Sequence, residues 1–362
     1  MLFKSKFLKI LFIFTNLCFT TSIFAKTSQI LKKQIQITDN VGRIVDISVP
    51  IEKAIVVSRY NNELIRACGA INNVIAVDMN TAQDRAYWSN FKVEDVIGKN
   101  QKDLNYEKII SLSPEVFILP ANGSYKEAEK KLTPFGIKVI VISGYDTSDF
   151  YNQINNIGII FGKEKEAKDF IDFYEIPLKY IEKNLQDIDK KTVYWEDSKD
   201  FYTAFPGSYY YNMIEASGGK NIFGDQNTKT SESQVDSEAI IIKNPSVIVK
   251  NISPAQAIKG SGIYAPPTKE QQIKTIEEIK NRTGWGNIEA VKNNNIYLMS
   301  QFGHGGASKM IGAVYMAKWI YPENLPELDP DLIFEEWLEK FQGFKNIKGH
   351  FYPVPNKSKN EK

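Results

Sequence analysis

The chain has 362 residues, 43% of them hydrophobic and 24% charged, which is apolar material for two packed domains rather than one. Its 45 basic side chains are nearly balanced by 43 acidic ones, leaving a formal charge of +2. A chain so close to neutral, with no basic cluster interleaved with aromatics, is not a nucleic-acid binder.

The N-terminus carries Lys4, Lys6 and Lys9 and no acid, then apolar runs at 10–14 and 17–24 broken by Asn16, then Ala25. A positive end, an apolar stretch and a small residue are the order of a secretory signal. The apolar part falls short of the roughly 20 residues of a membrane-spanning helix, so cleavage after residue 25 and export to the periplasm are expected. Loss of the three lysines takes the formal charge from +2 to −1. Thr15-Asn16-Leu17 is a poor lead-in for lipidation at Cys18. Cys68 is then the only cysteine of the mature chain, without a disulfide partner and expected to be a small buried hydrophobe.

From Ala54 onward short apolar runs alternate with helical patterns. Strands are expected at 54–57, 74–77, 115–119 and 138–142, with a helix over 62–67 stopped by Gly69. This is the rhythm of a parallel sheet with helices on its faces. From 147 to about 185 it stops. Ala167, Phe170, Ile171, Tyr174, Leu178, Ile181 and Leu185 recur at helical spacing and predict one long amphipathic helix, kinked or split at Pro177. Strands resume at 193–195, 247–249 and 296–299. The expected fold is α/β: two Rossmann-like lobes joined by a single long helix, with a ligand cleft between them. The boundaries are a signal at 1–25, a first lobe at 26–145, a connecting region at 146–190, a second lobe at 191–344 and a mobile tail at 345–362. A helical turn led by Glu107 and ending at Pro114 aligns with one led by Glu238 and ending at Pro245, each followed by a β-branched or aromatic run. One copy falls in each lobe.

Ile37-Thr38-Asp39-Asn40-Val41-Gly42-Arg43 followed by Ala54-Ile55-Val56-Val57, and then Leu112-Ser113-Pro114-Glu115-Val116, resemble the opening of periplasmic binding proteins that serve iron–siderophore, haem and vitamin B12 importers. Met213-Ile214-Glu215-Ala216-Ser217-Gly218-Gly219-Lys220-Asn221-Ile222 resembles the segment that opens the second lobe of that family. The resemblance implies a monomeric substrate-binding component of an ABC importer, without a cofactor of its own. It would capture a metal chelate, a ferric siderophore before haem, a corrinoid or a nickel or cobalt complex, and deliver it to a permease dimer. It also implies one docking glutamate per lobe, which the repeat places at Glu107 and Glu238. The chain departs from the family at 321–344, where an additional amphipathic helix is expected.

Ligands of parallel α/β lobes sit beyond the carboxyl ends of the strands. The loops there supply the candidate ligand-binding residues Arg59, Tyr60, Arg85, Trp88, Asn122, Trp195, Tyr202, Phe205, Tyr209, Tyr264, Phe302 and His304. Tyr and Trp with a few polar groups suit a large organic ligand, and guanidinium forks suit its negative charge. Of five arginines, Arg59 and Arg85 fall in these loops. His304 stands in Phe302-Gly303-His304-Gly305-Gly306 and is the candidate metal ligand, whereas His350 belongs to the tail. One such histidine without a cysteine pair cannot build a zinc site, so the metal should arrive already chelated. Phosphate-cradling and hydrolase motifs are missing from the sequence. The rival reading is an exported chelatase-like or hydrolytic enzyme on the same scaffold using His304 and Glu196.

Overall fold

The computed structural model describes residues 31–146, 149–226, 230–252 and 263–353. The expected signal peptide, residues 253–262 and the last nine residues of the tail lie outside them.

A hairpin opens the fold, with β1 (Lys33–Thr38) antiparallel to β2 (Ile44–Val49). Its turn is closed by Asp39, whose carboxylate accepts from the backbone N–H groups of Val41 and Arg43 and from the Arg43 guanidinium. The same carboxylate accepts from Val141 N at 3.1 Å and so pins the hairpin to the first sheet.

That sheet contains β3 (Ala54–Val56), β4 (Val74–Val77), β5 (Val116–Leu119) and β6 (Lys138–Val141), all parallel in the order β4-β3-β5-β6. Helix α1 (Arg59–Ala67) follows β3; α2 (Tyr106–Leu112) and α3 (Tyr125–Leu132) flank β5. The segment from 150 to 185 is helical, as expected, but in two pieces that divide at Gly162, φ +64°, rather than at Pro177. They are α4 (Phe150–Phe161) and the 22-residue α5 (Glu164–Leu185), which runs unbroken through a buried Pro177.

The second sheet has β7 (Thr192–Glu196), β8 (Lys220–Asn221), β9 (Val247–Ile252), β10 (Ile296–Ser300) and β11 (Phe351–Tyr352), in the order β8-β7-β9-β10-β11. The first four are parallel and β11 is antiparallel to β10. Helices α6 (Tyr209–Ala216), α7 (Ser237–Lys243), α8 (Lys269–Lys280), the single turn α9 (Gln301–His304) and α10 (Lys309–Ile320) pack on it.

The continuous apolar runs of the sequence reflect strands buried on both faces, and alternation decides which residue goes where. Val56, Val116 and Ile118 of the first sheet, and Val193, Trp195 and Val249 of the second, join one cluster that continues through Phe170 and Tyr174 of α5. Ile55, Phe117 and Leu119 face a separate outer cluster of the first lobe, and Tyr194 and Ile248 one of the second. Each lobe has its own outer core, and the two share the inner one.

The sequence repeat is a structural repeat. Asn105 caps α2 and Asp236 caps α7, each through its side-chain oxygen. Both helices end on a residue in the left-handed region, Ser113 at φ +49° and Asn244 at φ +42°, immediately before a proline.

The C-terminal segment departs from expectation. Helix α11 (Pro330–Glu336) is capped by Asp329 and passes into a wider π-type turn over Trp337–Gln342. Phe341 then packs on Phe170 and Phe173 of the connecting helix, and Phe344 stacks on Tyr87 of the first lobe. The first part of the expected mobile tail is docked: Phe351 and Tyr352 extend the second sheet, and His350 is buried with Nδ1 2.5 Å from Ser300 Oγ. A tail rich in polar residues reads as loose, but two aromatic residues and a histidine anchor it by burial.

Candidate functional site

Elements at the carboxyl ends of both sheets meet between the lobes. β3 runs into Ser58, which adopts φ +83°, and turns into α1, so that Arg59 and Tyr60 leave the sheet together. From the other lobe β10 runs into α9 and the glycines behind it. Gln301 donates a hydrogen bond to the Tyr60 hydroxyl at 2.7 Å. The Arg59 guanidinium lies over the Tyr60 ring, 5.4 Å from its centroid, and makes no salt bridge among the described residues.

Glu63, one helical turn on, is the groups' buried anchor. Its carboxylate accepts from the Tyr264 hydroxyl at 2.8 Å and from Ala307 N at 3.3 Å, both from the second lobe. Trp88 Nε1 donates to the same Tyr264 oxygen at 3.0 Å, and Gln342 donates to the Glu63 carbonyl. Burial pushes the Glu63 carboxyl up to about 7, against its hydrogen bonds and the charges of Arg59 and Arg66. Arg66 covers the face of Trp88, 3.8 Å from its ring centroid.

On the second-lobe side His304 is fully buried with both ring nitrogens engaged. The Tyr209 hydroxyl donates to Nδ1 at 2.6 Å and Nε2–H donates to Asn251 Oδ1 at 3.2 Å, a direction fixed by Asn251 Nδ2 donating to Asp197. Trp195 and Tyr210 stack on each other at 4.6 Å and hold the imidazole by their edges. Burial pushes its pKa down to about 3, so the ring is neutral. To coordinate a metal, it would have to give up one of these two bonds. Among the described residues no group of three or more His, Cys, Asp or Glu is placed to hold an ion.

The structure thus brings Arg59, Tyr60, Trp88, Tyr209, Tyr264 and His304 to the junction, with Trp195 and Phe302 packed behind them. Phe302 is buried against His350 and Trp337. Three others stand apart. Arg85 and Asn122 are exposed. Tyr202 lies on a small antiparallel pair with 232–234. Phe205 is a correction: it packs with Phe223 and Trp285 in the outer cluster of the second lobe, on the sheet face opposite Trp195. Glu63 lies inside the helix expected over 62–67 and Asn251 just past the strand expected at 247–249, so neither falls in a loop at a strand end; Gln301 does, at the start of the loop after the strand expected at 296–299, but nothing local marks it out from its neighbours. A buried carboxylate at Glu63 could have been suspected, since it occupies the apolar face of α1 beside Leu64 and Ala67.

The surroundings of Glu196 do not favour the His304–Glu196 pairing on which the enzyme reading rests. Its carboxylate is taken up by both terminal nitrogens of Arg282 at 2.8 Å, by Lys250 at 2.8 Å, by the Tyr194 hydroxyl and by Phe201 N. It holds a structural ion-pair cluster, and the polar partners of His304 are Tyr209 and Asn251 instead.

The lobe contact tolerates no added atom at Gly306. Its φ is +55°, and a Cβ there would come within 2.5 Å of both Glu63 Oε2 and Tyr60 Cδ1. Gly306→Ala is expected to cost about 1–3 kcal/mol in urea unfolding, through crowding and an unfavourable backbone region. An unchanged midpoint would show that the two lobes do not close on each other there.

Two α/β lobes, one long helix between them and a polar, aromatic junction at the ends of the strands define a two-lobed solute-capture protein. The chain belongs to the periplasmic binding protein family, whose model matches residues 55–301. The molybdate-binding protein MolA of Haemophilus influenzae is 22% identical over 348 residues, covering 84% of this chain and 90% of that protein. A vitamin B12-binding protein of Vibrio vulnificus is 27% identical over 241 residues, covering 66% of this chain and 82% of the relative. Among solved structures, the TroA-like periplasmic binding protein FepB of Veillonella parvula superimposes with a TM-score of 0.70 at 22% identity, over 88% of this chain and 99% of that one.

Proposed function

We propose that this binding protein captures an anionic metal complex between its lobes and hands it to the paired permease subunits of an ATP-driven importer. A ferric chelate is the first candidate cargo, ahead of haem, a corrinoid or a nickel or cobalt complex. The observation that carries the reading is Arg59: a guanidinium at the lobe junction, set on a tyrosine ring and without an ion-pair partner among the described residues. The Tyr60 and Tyr209 rings beside it suit the organic shell of a chelate. A relative that binds molybdate favours negative charge on the cargo as well, and makes the oxyanion itself the second reading.

The test is titration of the mature protein with ferric siderophores, haem, cobalamin, nickel chelates and molybdate, following tryptophan fluorescence and heat. Trp88 and Trp195 lie close to the junction, so a coloured ferric ligand should quench. Arg59→Ala is expected to weaken binding of the cargo by about 1.5–3 kcal/mol, the loss of one charge-assisted hydrogen bond. Silence across the whole panel would sink the importer reading; unchanged affinity in the variant would leave a neutral cargo held by the aromatics.

A further inference from the structure

A cavity of about 300 Å³ lies between α4, α5, α6 and α10. Its walls are mainly aromatic and apolar, with Phe150, Tyr151, Tyr174 and Tyr209 among them, and Lys309 lines it as well. Lys309 is 4% exposed, and its Nζ has no hydrogen-bond partner among the described residues. The ammonium rests against the rings of Phe150 and Tyr209, 5.4 and 5.8 Å from their centroids. The start of α10 is held in place by Met310 N donating to the Tyr174 hydroxyl at 2.8 Å.

Among the described residues the other two buried lysines of the second lobe are matched, as is half-buried Arg282. Lys250 meets Glu196 and Asp200, Arg282 meets the same two carboxylates, and Lys318 donates to the carbonyls of Leu325 and Pro326. An ammonium left bare in an apolar wall is costly, and burial lowers the Lys309 pKa to about 7 although the Asp146 charge works against this. An anion entering the cavity would supply the missing partner, and ring walls select an anion with a flat apolar body.

We propose that this cavity is a binding site for a small aromatic carboxylate, with Lys309 as its counter-ion and the Phe150, Tyr151 and Tyr174 rings around its body. The site shares the Tyr209 ring with the junction beside Arg59 but does not depend on which cargo is captured there.

The experiment is calorimetric titration of the mature protein with 1-naphthoate, with the uncharged 1-naphthamide as control. Naphthoate should bind with one-to-one stoichiometry and naphthamide at least tenfold more weakly. Lys309→Met should lower naphthoate affinity at least tenfold, leave naphthamide as it was, and keep the wild-type circular dichroism. In the wild type, affinity should fall as pH rises from 6.5 to 8.5 and the ammonium loses its proton. The titratable groups facing it are Asp146, Tyr151, Tyr174 and Tyr209, and burial holds the three tyrosine hydroxyls above their usual range, so they stay neutral in that window. Equal binding of acid and amide, an unaffected Lys309→Met, or no binding at all would overturn the proposal. Should that variant fail to fold, a flat wild-type pH profile does so in its place.

Discussion

Replacing Glu107 and Glu238 together by alanine should reduce cellular uptake at least tenfold while ligand affinity stays within about twofold of wild type. Both are exposed first-turn residues of short capped helices, α2 and α7, seven residues ahead of Pro114 and Pro245. The matching caps and matching left-handed termini make the two corners near copies, which is the arrangement a pseudo-symmetric protein needs to sit on a two-fold permease. Neither residue contacts the lobe junction, so capture and delivery should separate cleanly. An exposed glutamate contributes little to folding, and the double variant should melt like wild type. Normal uptake by the variant would refute the docking assignment. Loss of ligand binding instead would move the binding site itself away from the junction.

Acidification is expected to destabilise the protein between pH 6.5 and 4.5, with the two histidines as the main source. His304 and His350 are both held at about 3 by burial, against an ordinary value of 6.5. Each takes up a proton in the unfolded chain below 6.5 but stays neutral in the folded one. Their stabilisation is complete above pH 6.5 and is lost as pH falls toward 3, at about 1.4 kcal/mol per pH unit for each ring. Glu63 works the other way. Its folded value near 7 lies above the ordinary 4.5, so its contribution is complete below 4.5 and is lost as pH rises through 7. Two protons against one leave a net loss of about 1.4 kcal/mol per unit of acidification from these three groups. Urea unfolding at pH 5.0 and 6.5 measures it. Glu63→Gln should steepen the slope roughly twofold, and a His304→Gln, His350→Gln double variant should flatten or reverse it. Comparison between variants isolates these groups from Asp78 and Glu232, whose carboxyls burial also raises. Identical slopes in wild type and both variants would show that neither histidine is buried as described.

The alternation of apolar runs and helical patterns was enough to predict the two lobes, because strands buried on both faces have to be continuously hydrophobic and the connecting helix has to be amphipathic. The paired corners at Glu107 and Glu238 were legible for a similar reason: a cap, a short helix and a proline are set by neighbours in the chain. The rule that ligands sit at strand ends picked out Arg59, Tyr60, Tyr209 and His304, which meet at the lobe junction. What local pattern could not supply was direction. Trp195 and Phe205 look alike as loop-edge aromatics, yet strand alternation and the turn after β7 send one to the inner cluster and the other to the outer one. Glu63 and Lys309 are single charges that nothing in the neighbouring sequence marks out. Their burial depends on distant residues, such as Ala307 against Glu63, 244 positions away. The tail reads as loose by composition, but His350 and Phe351 are held by Ser300 and Tyr315. Helix and strand periodicity is written in neighbouring residues. The partner of a buried charge, and the face on which a ring ends up, are settled only when distant segments pack.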